Sequence, residues 1–242
     1  MAYHRSQKNL KGNLMKNSVN DYKEHFDFWE DLILSGDRIY PSEFVVRFAF
    51  KNKFKSVLDF GCANGRHLEC FSKAGATRLI GIDLNQKPLD LAKSRLEPII
   101  NSRGATLELY SNKNRDINEI LKDIRVDAIL LWEIAYLYTP NIVLNLLNSL
   151  KSHLNPNGKM LINFISKDDS LKIDAKPLGE NIYEITEPTH RGLIFTFYDL
   201  DMITELMKKA GLKIISIEKN HYWLEGGAIK HDYINIQATH DS

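Results

Sequence analysis

The stretch Val57-Leu58-Asp59-Phe60-Gly61-Cys62-Ala63-Asn64-Gly65-Arg66-His67-Leu68 places an acid and a glycine-flanked loop between an apolar run and an amphipathic one. Glycine lets loop backbone approach a ligand closely, and the first turn of a helix offers N–H groups that lack intrahelical partners. A second apolar run ends in Gly81-Ile82-Asp83-Leu84. A carboxylate at such a strand end can accept two hydrogen bonds from the vicinal hydroxyls of a ribose. In an open α/β sheet both motifs would lie at the carboxyl ends of their strands, beside the switch point where ligands bind.

These motifs need a scaffold that brings strand ends together. From Ser56 onward, strands are expected at Ser56–Phe60, Arg78–Asp83, Thr106–Tyr110, Val126–Trp132 and Lys159–Ile165. Helices are expected between them at Arg66–Ala74, Lys87–Leu96 and from Pro140 to His153. Val126–Trp132 is continuously apolar, as a central strand buried on both faces requires. Thr139-Pro140 supplies an N-cap and a first-turn proline for the helix that follows. Repeated strand–helix–strand units predict a parallel sheet with helices on both faces. The end of the chain departs from the alternation. Asp199 or Asp201 can cap a helix reaching Ala210, and Leu212–Glu218 and Tyr233–Ala238 follow as strands with no helix between them. Strands so joined are expected to be antiparallel to each other. The expected fold class is α/β, with seven strands, mostly parallel, and a C-terminal antiparallel pair.

Bulk properties set outer bounds. The 242 residues suffice for one sizeable core, and 43% hydrophobic with 26% charged residues is ordinary globular composition. A net charge of +1 provides no overall field for nucleic acid or an anionic membrane. The N-terminal run Arg5, Lys8, Lys11 and Lys16 reads as a solvated tail. Cys62 and Cys70 match no metal spacing and are too few for a disulfide scaffold, so no metal is expected. With no apolar leader or bilayer-length run, the expected compartment is the cytoplasm. Asp21–Phe50 is aromatic-rich and reads as two helices separated by Ser35-Gly36-Asp37, with Pro41 opening the second. Residues 1–50 are thus expected to be an N-terminal tail and helical cap, and residues 51–242 the binding domain. Within it, residues 165–198 hold two short strands, Asn181–Thr186 and Leu193–Phe197, inserted before the last helix.

Val57–Leu68 together with Ile80–Asn85 resembles the cofactor signature of the class I S-adenosylmethionine-dependent methyltransferases. That family's first motif has the form acid–x–Gly–x–Gly–x–Gly; Asp59, Gly61 and Gly65 match it, and Ala63 stands at the middle glycine. The resemblance implies a Rossmann-like fold and S-adenosylmethionine as cofactor, with S-adenosylhomocysteine as product. It implies that Asp83, followed by Leu84, holds the ribose hydroxyls. Gly61, Cys62, Ala63 and Gly65 would line the methionine and ribose portion, and Asp59 would help hold the methionine ammonium. Asn114–Ile117 falls where the family places adenine contacts, with Asp116 the candidate for the exocyclic amine and Ile117 beside it. Trp132 and Glu133 would sit where cofactor and acceptor meet, and 165–198 would be a substrate cap.

Methyl transfer from a sulfonium is an in-line displacement, so alignment in a dry site matters most and a base is needed only for an acceptor that must lose a proton. The candidates for that base are Glu133, at a strand end facing the cleft, and His190 in the insertion, with His221 behind them. Aromatic faces suit a sulfonium, and Tyr22, Trp29 and Tyr40 could supply them. Trp132-Glu133-Ile134-Ala135 lacks the signatures of base-modifying nucleic-acid methyltransferases. The leading expectation is a small-molecule O or N acceptor, with RNA or protein, or a non-catalytic cofactor binder, as alternatives. A nicotinamide dehydrogenase is disfavoured because Gly-x-Gly-x-x-Gly is missing and Asp59 would sit awkwardly near a pyrophosphate. Oligomeric state does not follow from the sequence.

Overall fold

The computed structural model describes residues 23–36 and 38–240; the basic run Arg5–Lys16, Tyr22 and Asp37 lie outside the described residues. Two helices come first, α1 (Lys23–Leu34) and α2 (Glu43–Asn52). The alternating part follows as β1 (Ser56–Phe60), α3 (Arg66–Lys73), β2 (Arg78–Asp83), α4 (Gln86–Ser102), β3 (Thr106–Ser111), α5 (Ile117–Ile120), β4 (Val126–Leu131), α6 (Pro140–Lys151) and β5 (Leu154–Ile165). Three short strands, β6 (Lys176–Gly179), β7 (Ile182–Glu184) and β8 (Ile194–Thr196), precede α7 (Leu200–Lys209), β9 (Leu212–Leu224) and β10 (Ile229–His240).

The main sheet has seven strands in the order β3-β2-β1-β4-β5-β10-β9. β1 to β5 are mutually parallel, and β10 runs antiparallel to both β5 and β9. Rossmann-like architecture with a terminal antiparallel pair is therefore the fold. The chain order reverses between β1 and β4, and that is where a parallel sheet opens a crevice at its strand ends. The period-two burial of the strands divides the core into two layers. Val57, Leu79 and Ala128 face Val45, Phe48, Leu68, Phe71 and Leu96 of α2, α3 and α4. Leu58, Ile80 and Ile129 face the side built by Ile142, Val143 and Leu146 of α6 and Ile203 of α7. Helix α7 starts at Asp199, whose carboxylate accepts from the Met202 N–H.

Four local expectations change. Helix α4 runs to Ser102, past Leu96, with Pro98 inside it, because Leu96 and Ile100 are both fully buried and their packing carries the helix through the proline. β5 begins at Leu154, ahead of the expected Lys159, with a register irregularity and a left-handed Asn157 (φ 65°) in its first part. Thr139 makes no side-chain cap bond to α6. The insertion forms a three-stranded antiparallel sheet, its first strand being Lys176–Gly179. Among the described residues no helix is long and apolar enough to cross a membrane.

A proline inside a helix costs about 3 kcal/mol relative to alanine. Since Pro98 is exposed, Pro98→Ala should raise the unfolding free energy by roughly 1–3 kcal/mol. Denaturant titration with an unchanged m-value would show this; an unchanged midpoint would mean the backbone is relaxed around the proline.

Candidate active site

The loop after β1 is shaped by three left-handed residues at alternate positions, Gly61 (φ 80°), Ala63 (φ 47°) and Gly65 (φ 73°). Gly61 and Cys62 both donate their N–H to the Ile82 carbonyl, at 2.8 and 3.0 Å. Ala63 N–H donates to Asp83 Oδ2 at 2.9 Å, and Asn85 N–H to Asp83 Oδ1 at 2.9 Å. The end of β2 therefore holds the loop of β1 in place. Besides the positive φ, a side chain at either glycine would have to displace a neighbouring side chain. A Cβ at Gly61 would come within 2.2 Å of Ile134 Cδ1, and one at Gly65 within 2.4 Å of Leu96 Cδ1.

Beside this loop lies a cleft at the strand ends. Gly61, Cys62, Ala63, Asp83 and Leu84 line one side, and Trp132 and Glu133 another. Trp29, Glu30, Ile33 and Arg38 close over it from α1 and the segment after α1. That roof is tied down by Lys87–Glu30 (2.7 Å), by Asn64 Nδ2 donating to the Arg38 carbonyl (2.8 Å), and by Arg38 itself. The guanidinium carbon of Arg38 lies 5.6 Å from the Trp29 ring centre, and Arg38 Nη1 donates to Glu133 Oε2 at 2.6 Å. Arg66 Nη2 donates to the same oxygen at 2.8 Å. Trp132 is buried and stacks on Phe44 of α2 at 6.1 Å.

Electrostatics follow from burial and these partners. Burial opposes the Glu133 carboxylate, but Arg38 and Arg66 outweigh it and hold the carboxyl below its ordinary range. A doubly paired carboxylate is a poor proton acceptor, which turns the sequence expectation for Glu133 from a base toward a charge-holding role. Burial pushes Asp83 up, partly offset by the N–H groups of Asn85 and Ala63. Asp59 is buried, and its Oδ2 has no hydrogen-bond partner among the described residues. Burial raises its carboxyl to about 7, with Arg66 opposing and Asp83 adding to the rise. His67, whose Nδ1 is 3.8 Å from Asp59 Oδ2, is lowered to about 3 by burial and by Arg66. Its Nε2 accepts from the Ser42 N–H at 3.5 Å, so the neutral ring carries its proton on Nδ1, facing Asp59.

Several expected residues fall elsewhere. Asp59 and Gly65 sit behind the cleft lining rather than in it. Asp116 is exposed and committed to capping α5 by accepting from the Asn118 N–H at 2.8 Å, and Ile117 packs against the core. The cleft residue at the end of β3 is Asn112, buried, with Oδ1 lacking a hydrogen-bond partner among the described residues. Because β3 extends to Ser111, the polar residue that reaches the cleft comes directly after the strand. His190 lies outside the lining, its Nδ1 2.9 Å from Glu187 Oε2 and its ring 6.2 Å from Trp29. His221 is exposed on β9, and Tyr40 is exposed at the surface. Sequence reasoning missed Arg38 and Arg66, because their common partner is 95 and 67 residues away along the chain.

The family described as a methyltransferase domain matches residues 35–217 of the chain. Among curated proteins, a ribosomal protein L11 methyltransferase of Lactobacillus gasseri is 31% identical over 139 residues, 57% of this chain and 39% of that one. An uncharacterised protein of Haemophilus influenzae is 29% identical over 111 residues, 45% of this chain and 41% of the other. The chain thus spans about two fifths of the length of these relatives. Among solved structures, an S-adenosylmethionine-dependent methyltransferase from Clostridium acetobutylicum superposes with a TM-score of 0.61 at 14% identity, over 91% of this chain and 99% of that one. One from Methanosarcina mazei gives 0.64 at 15% identity, over 84% and 100% of the two chains. These likenesses are to the fold.

The Asp59 shift carries a sign. A carboxyl raised to about 7 binds its proton in the folded state at pH values where the unfolded chain has lost it. Its contribution to stability is therefore lost as pH rises from about 4 to about 7. His67 acts oppositely, adding stability as pH rises from about 3 to about 6.5. Asp59→Asn removes only the first contribution. The variant should gain on the wild type between pH 5 and pH 8, by on the order of 2 kcal/mol in thermal unfolding. An equal difference at both pH values would show that Asp59 ionises normally.

Proposed function

This chain belongs to the methyltransferase-domain family, and from that premise we propose that it transfers a methyl group from S-adenosylmethionine to a small-molecule O or N acceptor. The observation that carries the cofactor reading is the paired geometry of Asp83 and the loop after β1. The Asp83 oxygens accept the backbone N–H groups of Ala63 and Asn85, each at 2.9 Å, and a carboxylate's four lone-pair sites leave capacity for a ribose hydroxyl. Asn112, with its orphaned buried Oδ1, offers an acceptor for an exocyclic adenine amine, and Leu84 an apolar face beside it. The Arg38–Glu133–Arg66 group suits the two ends of an α-amino acid: the carboxylate pairs with the guanidinium groups and the ammonium with Glu133.

When bound, the cofactor supplies a methyl carbon already activated by a sulfonium. What the chain contributes is alignment and exclusion of water. Trp132 and Glu133 mark the strand end where the acceptor would enter, and the roof from Trp29 to Arg38 shields the cleft. We assign residues 165–198 as the substrate cap. His190, held by Glu187 at the inner edge of that segment, is the candidate base for an acceptor that must be deprotonated. Neither arginine-paired Glu133 nor a buried Asp59 is suited to that step. The small-molecule reading rests on balanced charge, which gives no field for a polyanion; the compartment proposed with it is the cytoplasm.

Calorimetric titration with S-adenosylhomocysteine, run beside NADH, tests the cofactor. The expected result is binding of the first alone, weakened about tenfold or more by Asp83→Ala, a loss of roughly 1.4 kcal/mol. Binding of NADH alone would overturn the methyltransferase reading. Turnover on a metabolite fraction, with none on ribosomal protein or RNA, is the result expected for the acceptor class.

A further inference from the structure

Glu133 is a non-glycine residue held in the left-handed region, at φ 59°. A side chain in that conformation persists only where its surroundings fix it. Its N–H donates to Asn163 Oδ1 at 3.3 Å. Asn163 Nδ2 in turn donates to Asn235 Oδ1 at 3.0 Å, and Asn235 Nδ2 to Asn220 Oδ1 at 2.7 Å. The three asparagines stand on β5, β10 and β9, on the sheet face turned toward α2, and Asn163 and Asn235 are each only 2% exposed. The bonds run one way, with every amide donating outward and every carbonyl accepting from the side of the cleft.

We infer that Asn163, Asn235 and Asn220 form a positioning relay. It fixes the backbone of Glu133 and, through it, the Arg38–Glu133–Arg66 clamp for the amino-acid end of the cofactor, an assignment that rests on the proposed function above. Asn163 has a defined orientation only because Asn235 takes its amide protons. An amide without that partner could rotate and turn N–H against the N–H of Glu133. Asn220 orients Asn235 in the same way. The C-terminal hairpin thereby contributes to ligand recognition without touching the ligand. The asparagines are positioning residues, and nothing in the relay moves a proton.

Two probes separate positioning from general weakening. S-adenosylhomocysteine carries the amino-acid end, and 5′-methylthioadenosine shares its adenine, ribose and thioether but lacks that end. Calorimetry on the full chain should show Asn163→Leu losing about tenfold or more in S-adenosylhomocysteine affinity, the scale of one unsatisfied buried group, with 5′-methylthioadenosine affinity unchanged. Asn235→Ser, a milder change one step further out, should show the same selectivity with about a threefold loss, and decides the matter if Asn163→Leu does not fold. Equal losses for both ligands, or none for either, would overturn the relay while leaving the cofactor reading intact. A wild-type protein that binds neither nucleoside would overturn that reading and the relay with it.

Discussion

The bond from the Ala63 N–H to the Asp83 carboxylate joins two neighbouring strand ends into one unit. Without it, the loop after β1 would be a glycine-containing stretch with many conformations. With it, and with Gly61 and Cys62 both anchored on the Ile82 carbonyl, three successive N–H groups tie the loop to the end of β2. The fixed loop sets the start of α3, and α3 carries Arg66 to the cleft and His67 to Asp59. The sheet makes this possible by parallel pairing of β1 with β2 in a register that sets Phe60 beside Ile82. The acid that organises the loop is also the acid proposed to hold a ribose, so in that reading folding and recognition draw on the same carboxylate.

A second layer of constraint comes from charge. The cleft wall brings two guanidinium groups onto one carboxylate oxygen, in a place where burial alone would favour the neutral acid. The group is self-compensating in charge, and it is this pairing of both signs on which the proposed amino-acid clamp rests. Arg38 comes from the segment after α1 and Arg66 from α3, so the N-terminal segment is tied by an ion pair to the cleft wall and does not merely cover it. The asparagine ladder reaches the same residue from the C-terminal strands, bonding the backbone of the glutamate that the arginines hold by its side chain.

Much of this fold was legible in the sequence because its central strands are apolar runs with acids or glycines at their ends. Ser56–Phe60, Arg78–Asp83 and the start of α3 at Arg66 lie where local pattern puts them. The misses have physical causes. Pro98 reads as a helix stop, yet the burial of Leu96 and Ile100 overrides it. Lys176–Gly179 contains proline and glycine and does not read as a strand, but pairing with β7 makes it one. Asp116 drew attention as an acid in the expected region, whereas β3 ends at Ser111 and Asn112, a residue with no local signature, faces the cleft. Arg38 and the asparagines act through partners far away in sequence, which no periodicity encodes.

Ala63 has a consequence for the thermodynamics of binding. An alanine in the left-handed region costs about 1 kcal/mol in the folded protein, a cost glycine would not carry. The same Cβ removes backbone conformations that a glycine would explore whenever the loop is released from Asp83. A loop with fewer alternatives loses less entropy when a ligand settles against it. The methyl group of Ala63 thus exchanges a small standing strain for a smaller ordering penalty, so the entropy of settling any ligand against this loop is less unfavourable than it would be with glycine.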